Sequence, residues 1–281
     1  MGKIKVKSKV SVDKLAYVGY KTELFQVLIN SLSEKLIEKR TVARYPYEWN
    51  YHLYGGSIIQ ERTEFNKTDV RIEFNPNRLK GEWYDGIIQF MNTFKYVRPT
   101  RVDIAIDLYN IDINDYIVMD DKGRKTVEYR GGSGELETYY VGAPSSDLRV
   151  RIYDKRKEQG QSEDKEAWWR VEAQVTGEVI EHLDKISPFE GIEIIRKDSR
   201  LDHIKSFKEQ VFIRHLLHNP KDLERLSRPT RYRYKKILSD LGRSESERVS
   251  LCDIYKKNYK TVLDTIDEYK RPSESNNMLL S

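Results

Sequence analysis

The chain is predicted to fold as an α+β protein: two β-α-β-like halves sharing curved, mainly antiparallel sheet or sheets flanked by helices, then a helical C-terminal region. Three observations lead there. Short segments alternate apolar and polar side chains with the period of two that a half-buried strand requires. Stretches with helical spacing interrupt them. Past residue 200 the alternation gives way to helical spacing and dense positive charge.

Taken in order, Lys3 to Val10 alternates as a short strand, and Glu23 to Lys39 carries Leu24, Val27, Leu28, Leu32 and Leu36 at helical spacing. Strands follow near Tyr51 to Arg62 and Asp69 to Asn75, and Pro76-Asn77 marks a turn. Trp83, Ile87, Ile88, Met91 and Phe94 form one helix face leading into a strand at Thr100. The second half has strands near Thr126 to Tyr129, Leu136 to Val141, Leu148 to Asp154 and Trp168 to Val175. A helix with Val179, Ile180, Leu183 and Ile186 succeeds them. Gly131 to Gly134 reads as a flexible loop and Lys155 to Lys165 as a polar, mobile connection. An Arg-x-Glu strand precedes a helix in both halves, at Arg71 to Glu73 and Arg170 to Glu172, as a duplication or as packing on a common sheet would produce. The domains expected are 1–195, with halves of about 1–110 and 120–195, and a basic helical region at 196–281 ending in a disordered tail from Ser273.

Arg149 to Lys155, read Arg-Val-Arg-Ile-Tyr-Asp-Lys, is the most informative stretch. As a strand it points Val150 and Ile152 one way and Arg149, Arg151, Tyr153 and Lys155 the other. The phenol is thus flanked by cations that favour phenolate and hold a phosphate ester. A solvated strand edge also accommodates Tyr, Arg and Lys, and Tyr153 is one of nineteen tyrosines, so the spacing alone admits a structural ring packed on Arg151. Three further strands repeat the pattern of one apolar and one charged face. They are Asp69 to Phe74 with Arg71 and Glu73, Thr100 to Asp107 with Arg101, Asp103 and Asp107, and Trp168 to Val175 with Arg170 and Glu172. As sheet neighbours they would form a polar floor whose carboxylates suit Mg²⁺ or Mn²⁺. Salt bridges of Asp103 to Arg101 and Glu172 to Arg170 are the plain alternative.

Thr138, Tyr140 and Gly142, then Ser145 to Asp147, then Arg-Ile-Tyr-Asp-Lys, then Trp169 to Glu172, with Thr100 to Asp107 upstream, resemble the Rep_trans family over roughly residues 45–190. Its members are replication initiators of rolling-circle plasmids and related relaxases of conjugative elements. The resemblance implies a metal-dependent, topoisomerase-like DNA nicking and closing enzyme in which Tyr153 is the nucleophile. Tyr153 would form a 5′-phosphotyrosine at the double-strand origin, leave a 3′-hydroxyl primer and rejoin the strand at termination. It further implies Asp103, Glu172 and Glu73 as acids for Mg²⁺ or Mn²⁺, Arg151 and Lys155 as assisting cations, a homodimer, and a host helicase as partner. His215 and His218 form no His-x-His pair, a departure from the two-histidine rolling-circle nickases. The segment before Tyr45 looks too short for the added N-terminal domain of many conjugative relaxases, which favours plasmid replication over transfer.

Composition agrees with this reading. With 38% hydrophobic and 34% charged residues the chain has much polar surface, and no apolar run approaches the ~20 residues of a membrane span. The N-terminus lacks a signal-peptide core, and Cys252 stands alone, which excludes an intrachain disulfide and a cysteine metal cluster; the cytoplasm is expected. A net charge of +5 permits DNA binding without arguing for it. The densest cationic stretch is Arg228, Arg231, Arg233, Lys235, Lys236 and Arg243, interleaved with Tyr232 and Tyr234 behind Pro229. It reads either as a solvated helix face or as a surface for the duplex and extruded single strand of an origin. The rival from another class is an origin or operator binder without catalysis.

Overall fold

The computed structural model describes residues 6–31, 37–39, 47–62, 70–161, 166–196, 201, 204–242 and 248–270. Arg243 and the tail from Ser273 lie outside them. In chain order the first elements are β1 (Lys7–Lys21), α1 (Glu23–Asn30), β2 (Ile37–Lys39), β3 (Tyr47–His52), β4 (Ile58–Arg62), β5 (Val70–Phe74), α2 (Glu82–Met91) and β6 (Phe94–Tyr109). Then come β7 (Tyr116–Asp120), β8 (Thr126–Arg130), β9 (Leu136–Val141), β10 (Leu148–Asp154), α3 (Lys155–Glu158) and β11 (Trp168–Thr176). The last are β12 (Ile192–Arg196), α4 (Phe207–His218), α5 (Arg228–Gly242), β13 (Arg248–Ser250) and α6 (Leu251–Glu268).

The chain divides into two compact units, and not at residue 195. One unit gathers Met1–Val10, Ile106–Ala173 and Ile186–Lys257; the other gathers Ser11–Ala105, Gln174–Lys185 and Asn258–Ser281. The reason is that β1, β6, β11 and α6 each supply residues to both, so compactness does not follow sequence order.

In the second unit the strands run β2-β3-β4-β5-β1, antiparallel at each recorded pair. Leu15 faces Phe74 and Tyr17 faces Ile72, and all four are buried. Tyr17 stacks on Phe74 at 6.1 Å and donates its hydroxyl to the Ile266 carbonyl at 2.8 Å. The first unit holds strands β11-β10-β9-β8 and a separate three-stranded sheet, β13-β12-β7. On that smaller sheet Ile117 joins Leu201, Ile213 and Leu217 in a core against which Tyr234, Ile237 and Leu238 of α5 pack.

The structure revises several sequence expectations. The first strand is 15 residues long, because Leu15 to Val18 are buried well past the predicted end at Val10. Helix α1 stops at Asn30 instead of reaching Lys39, with Ile37–Lys39 a strand. Phe94 opens β6 instead of closing α2. Gly177–His182 is a 3₁₀ segment and not an α-helix. Lys155 to Glu158 is helical, where a polar connection was expected.

Candidate active site

The site lies on the polar face of β10 in the first unit. Val150 and Ile152 are 0% exposed, which turns Arg149, Arg151 and Tyr153 to the opposite face as the alternation predicts. In the antiparallel register Tyr153 stands across from Thr138, and Arg151 from Tyr140. The Thr-x-Tyr spacing is therefore that of two residues on one face, directly beside the nucleophile candidate and its cation. Gly142 completes the motif for a steric reason. Its φ is +99°, and a Cβ there would lie 2.7 Å from the Leu148 carbonyl oxygen.

Strand β10 ends at Asp154, whose carboxylate accepts from the Lys157 amide at 3.0 Å and caps α3. Lys155 is thus the first helical residue and not the last strand residue. Its ammonium still reaches the Tyr153 ring, 5.6 Å from the centroid, and pairs with Glu158 one turn on. The Arg151 guanidinium lies over the same ring at 3.9 Å. It also approaches Glu172 at 3.5 Å and Glu158 at 3.9 Å.

The Tyr153 hydroxyl donates to Glu172 Oε2 at 3.4 Å, the long end of a hydrogen bond. Tyr153 is 5% exposed. That burial pushes its phenol well above the ordinary tyrosine range, and Glu172 pushes it further, outweighing Arg151. The flanking cations were expected to lower it. They do not prevail, because Glu172 and Glu158 also face the ring and water is largely excluded.

A salt bridge from Arg170 was the plain alternative for Glu172; Arg170 pairs with the buried Asp107. Its Nε and Nη2 donate to the two Asp107 oxygens at 2.8 and 2.9 Å, both residues being buried. Trp168 Nε1 donates to the same carboxylate at 2.8 Å, and the indole stacks on Tyr109 at 5.9 Å. Trp168 is thereby a fixed part of the polar face, on which Arg151 and the Tyr153 phenol approach Glu172.

Asp103 and Glu73 belong to the second unit. Arg101 grips Asp103 with Nε at 2.8 Å and Nη2 at 2.7 Å. Glu73 takes Lys14 at 2.7 Å and Arg71. Burial raises the Glu73 pKa, but Lys14 and Arg71 together hold it below the usual carboxylate value. Among the described residues no three or more His, Cys, Asp or Glu side chains group as a metal site would need. Each of the three candidate acids is engaged by a cation: Asp103 by Arg101, Glu73 by Lys14 and Arg71, and Glu172 by Arg151.

The basic helix α5 forms as predicted. Its half-buried stripe is Tyr234, Ile237 and Leu238, with Tyr234 edge-on to Phe212 of α4 at 5.0 Å. Arg228, Lys235 and Lys236 are exposed, and Tyr232 is 74% exposed. Arg233 pairs with Glu209. Arg231 donates to the carbonyls of Leu223, Glu224 and Leu226, fastening the helix to the preceding 3₁₀ turn at Pro220–Arg225. Its role there is structural.

No family model matches the chain. A replication initiation protein of Staphylococcus aureus is 30% identical over 219 residues, 74% of this chain and 66% of the relative. The chain belongs to the replication initiation proteins. A second such protein from the same organism is 29% identical over 215 residues with the same coverage, so the initiator spans about two thirds of the length of these curated relatives. A solved rolling circle replication initiator from Geobacillus stearothermophilus aligns with a TM-score of 0.44 and 20% identity, covering 69% of this chain and 89% of that one.

Sequence reasoning named Thr138 only as part of a motif, not as the residue facing Tyr153, and missed Glu158 and Tyr129. Asp154 followed by three basic residues and Glu158 carried the signal of a capped helical turn. The others were legible only once Tyr129 and Tyr153 were both paired to Thr138, a matter of register.

Proposed function

We propose that this chain initiates rolling-circle plasmid replication in the cytoplasm by cutting one strand of origin DNA with Tyr153. The observation that carries the proposal is the Tyr153 hydroxyl 3.4 Å from the Glu172 carboxylate, with the Arg151 guanidinium stacked on the ring. The phenolic oxygen bonds to phosphorus while the bond to the 3′ oxygen breaks, leaving a 5′-phosphotyrosine and a 3′-hydroxyl. Glu172 accepts the phenolic proton, Arg151 offsets charge on the phosphoryl oxygens, and Lys155 supplies a proton to the leaving oxygen. Energy kept in the phosphotyrosine allows the reverse reaction to rejoin the strand. Asp107 acts through Arg170 and Trp168 by holding β11, and so Glu172, in place.

A requirement for Mg²⁺ or Mn²⁺ belongs to the proposal through the family resemblance, and no step here is routed through it. Origin contacts are assigned to Arg228, Lys235 and Lys236 on the outer face of α5, with Arg233 joining them if it leaves Glu209. A homodimer and a host helicase complete the proposal. The test is incubation with supercoiled plasmid bearing the cognate origin, with Mg²⁺, with Mn²⁺ and with EDTA. Relaxed circles carrying protein on the 5′ end, lost in Tyr153→Phe with DNA binding retained, are expected. Nicking that survives in Tyr153→Phe would remove the assignment.

A further inference from the structure

Arg149 shares the polar face of β10 with Arg151 and Tyr153. Among the described residues it forms no ion pair, and its buried Nε has no hydrogen-bond partner, while its guanidinium lies 4.1 Å over the Tyr140 ring. Arg151, its neighbour on the face, has two carboxylates within 4 Å. Beyond Tyr140 the face continues on to the edge strand β8, where Val127 pairs with Tyr140 and Tyr129 with Thr138. Tyr129 is 56% exposed and stands edge-on to Tyr140 at 5.9 Å. The register therefore makes a row, Tyr129–Thr138–Tyr153, across three strands. Two strand spacings separate its ends by about 10 Å, the rise of about three stacked nucleotides.

We infer that the face formed by Tyr129, Tyr140 and Arg149 is a platform for the single strand flanking the cut, taking a base on the exposed Tyr129 ring and a phosphate on Arg149, which Tyr140 supports from below. The inference rests on the nicking proposal and extends it to how the strand is held. A single strand is the occupant because its bases are unstacked and free to lie on a ring, and because its phosphates match the Arg149 guanidinium. A peptide would bring that cation no anion unless acidic, and duplex DNA would present no base faces. The platform is also continuous with Tyr153, so one strand reaches both.

The test is fluorescence anisotropy of a labelled single-stranded oligonucleotide on the full chain in a Tyr153→Phe background, which prevents cleavage. Tyr129→Ala is expected to weaken binding about tenfold, and Tyr129→Phe to bind like its parent, because stacking needs the ring and not the hydroxyl. Arg149→Ala should reduce the slope of log affinity against log salt by about 0.7, one phosphate on a single strand. Both variants should unfold at the parental midpoint. Equal affinity for Tyr129→Ala and its parent, equal losses in Tyr129→Ala and Tyr129→Phe, or an unchanged salt slope in Arg149→Ala would overturn the platform. Single-strand binding that follows these variants in a protein that nicks nothing would sink the nicking proposal alone. Nicking by a protein whose single-strand affinity ignores them would sink the platform alone.

Discussion

With its phenol buried beside a carboxylate, Tyr153 could not act as the proposed nucleophile by ionising into bulk water. Its pKa is raised by burial and by Glu172, so the phenolate is scarcer at neutral pH than for a free tyrosine. Attack then needs a local proton acceptor, and Glu172 is the group within reach. Single-turnover nicking should therefore be level between pH 7 and 9, about where a carboxylate base is already ionised. In Glu172→Gln the proton must go to solvent. The rate should fall about 100-fold or more at pH 7 and climb about tenfold per pH unit towards the raised phenol pKa. A Glu172→Gln profile parallel to the parental one would show that this carboxylate takes no proton. The side chains involved were legible in the sequence, since alternation along β10 alone puts Arg151 beside Tyr153. The direction of the pKa shift was not, because burial and the carboxylates of β11 and α3 come from elements distant along or beyond the strand.

At the level of elements, α5 and the β9–β10 turn separate structural from functional roles. Helix α5 offers a run of cations that look alike in sequence, yet Arg231 is bound to three backbone carbonyls while Lys235 and Lys236 face solvent. Replacing Lys235 and Lys236 together by Ala should lower the salt slope of duplex binding by about 1.8, two phosphates at about 0.9 each, with unchanged unfolding. Arg231→Ala should instead destabilise the fold, because the part-buried bonds to the Leu223 and Leu226 carbonyls and the exposed one to Glu224 lose their charged donor. If Arg231→Ala changed only the salt slope, the structural role would be wrong. The turn makes a second prediction. Gly142→Ala forces a side chain into φ +99° and against the Leu148 carbonyl, for a loss of about 2 kcal/mol or more in denaturant unfolding. No loss would mean the β9–β10 register does not need the glycine.

For the whole molecule, the α+β class and most strands were readable, because Val70–Phe74, Leu148–Asp154 and Trp168–Thr176 alternate apolar and polar residues in sequence, cleanly matched by burial in the first. The sheet of β7, β12 and β13 was not. Ile117 and Val118 of β7 are both buried, and Arg248–Ser250 is too short for a period to show. The two-unit division was equally hidden, since strand pairing and not chain order decides it. What the fold does with its tyrosines gives a prediction at this scale. Tyr17, Tyr269 and Tyr153 are buried, and burial raises each pKa above the ordinary value near 10. Because the neutral phenol is favoured in the folded state, their contribution is fully present below about pH 10 and is lost as pH rises, when the unfolded chain gives up protons first. Each such group steepens the loss by up to about 1.4 kcal/mol per pH unit. Tyr17→Phe separates this from general alkaline damage. Losing the hydrogen bond to the Ile266 carbonyl should cost about 1 kcal/mol at pH 8, yet the variant should lose stability less steeply between pH 10 and 11.5. Denaturant titrations of both proteins across that range decide it, and parallel losses would show that the buried phenol at Tyr17 does not govern alkaline unfolding.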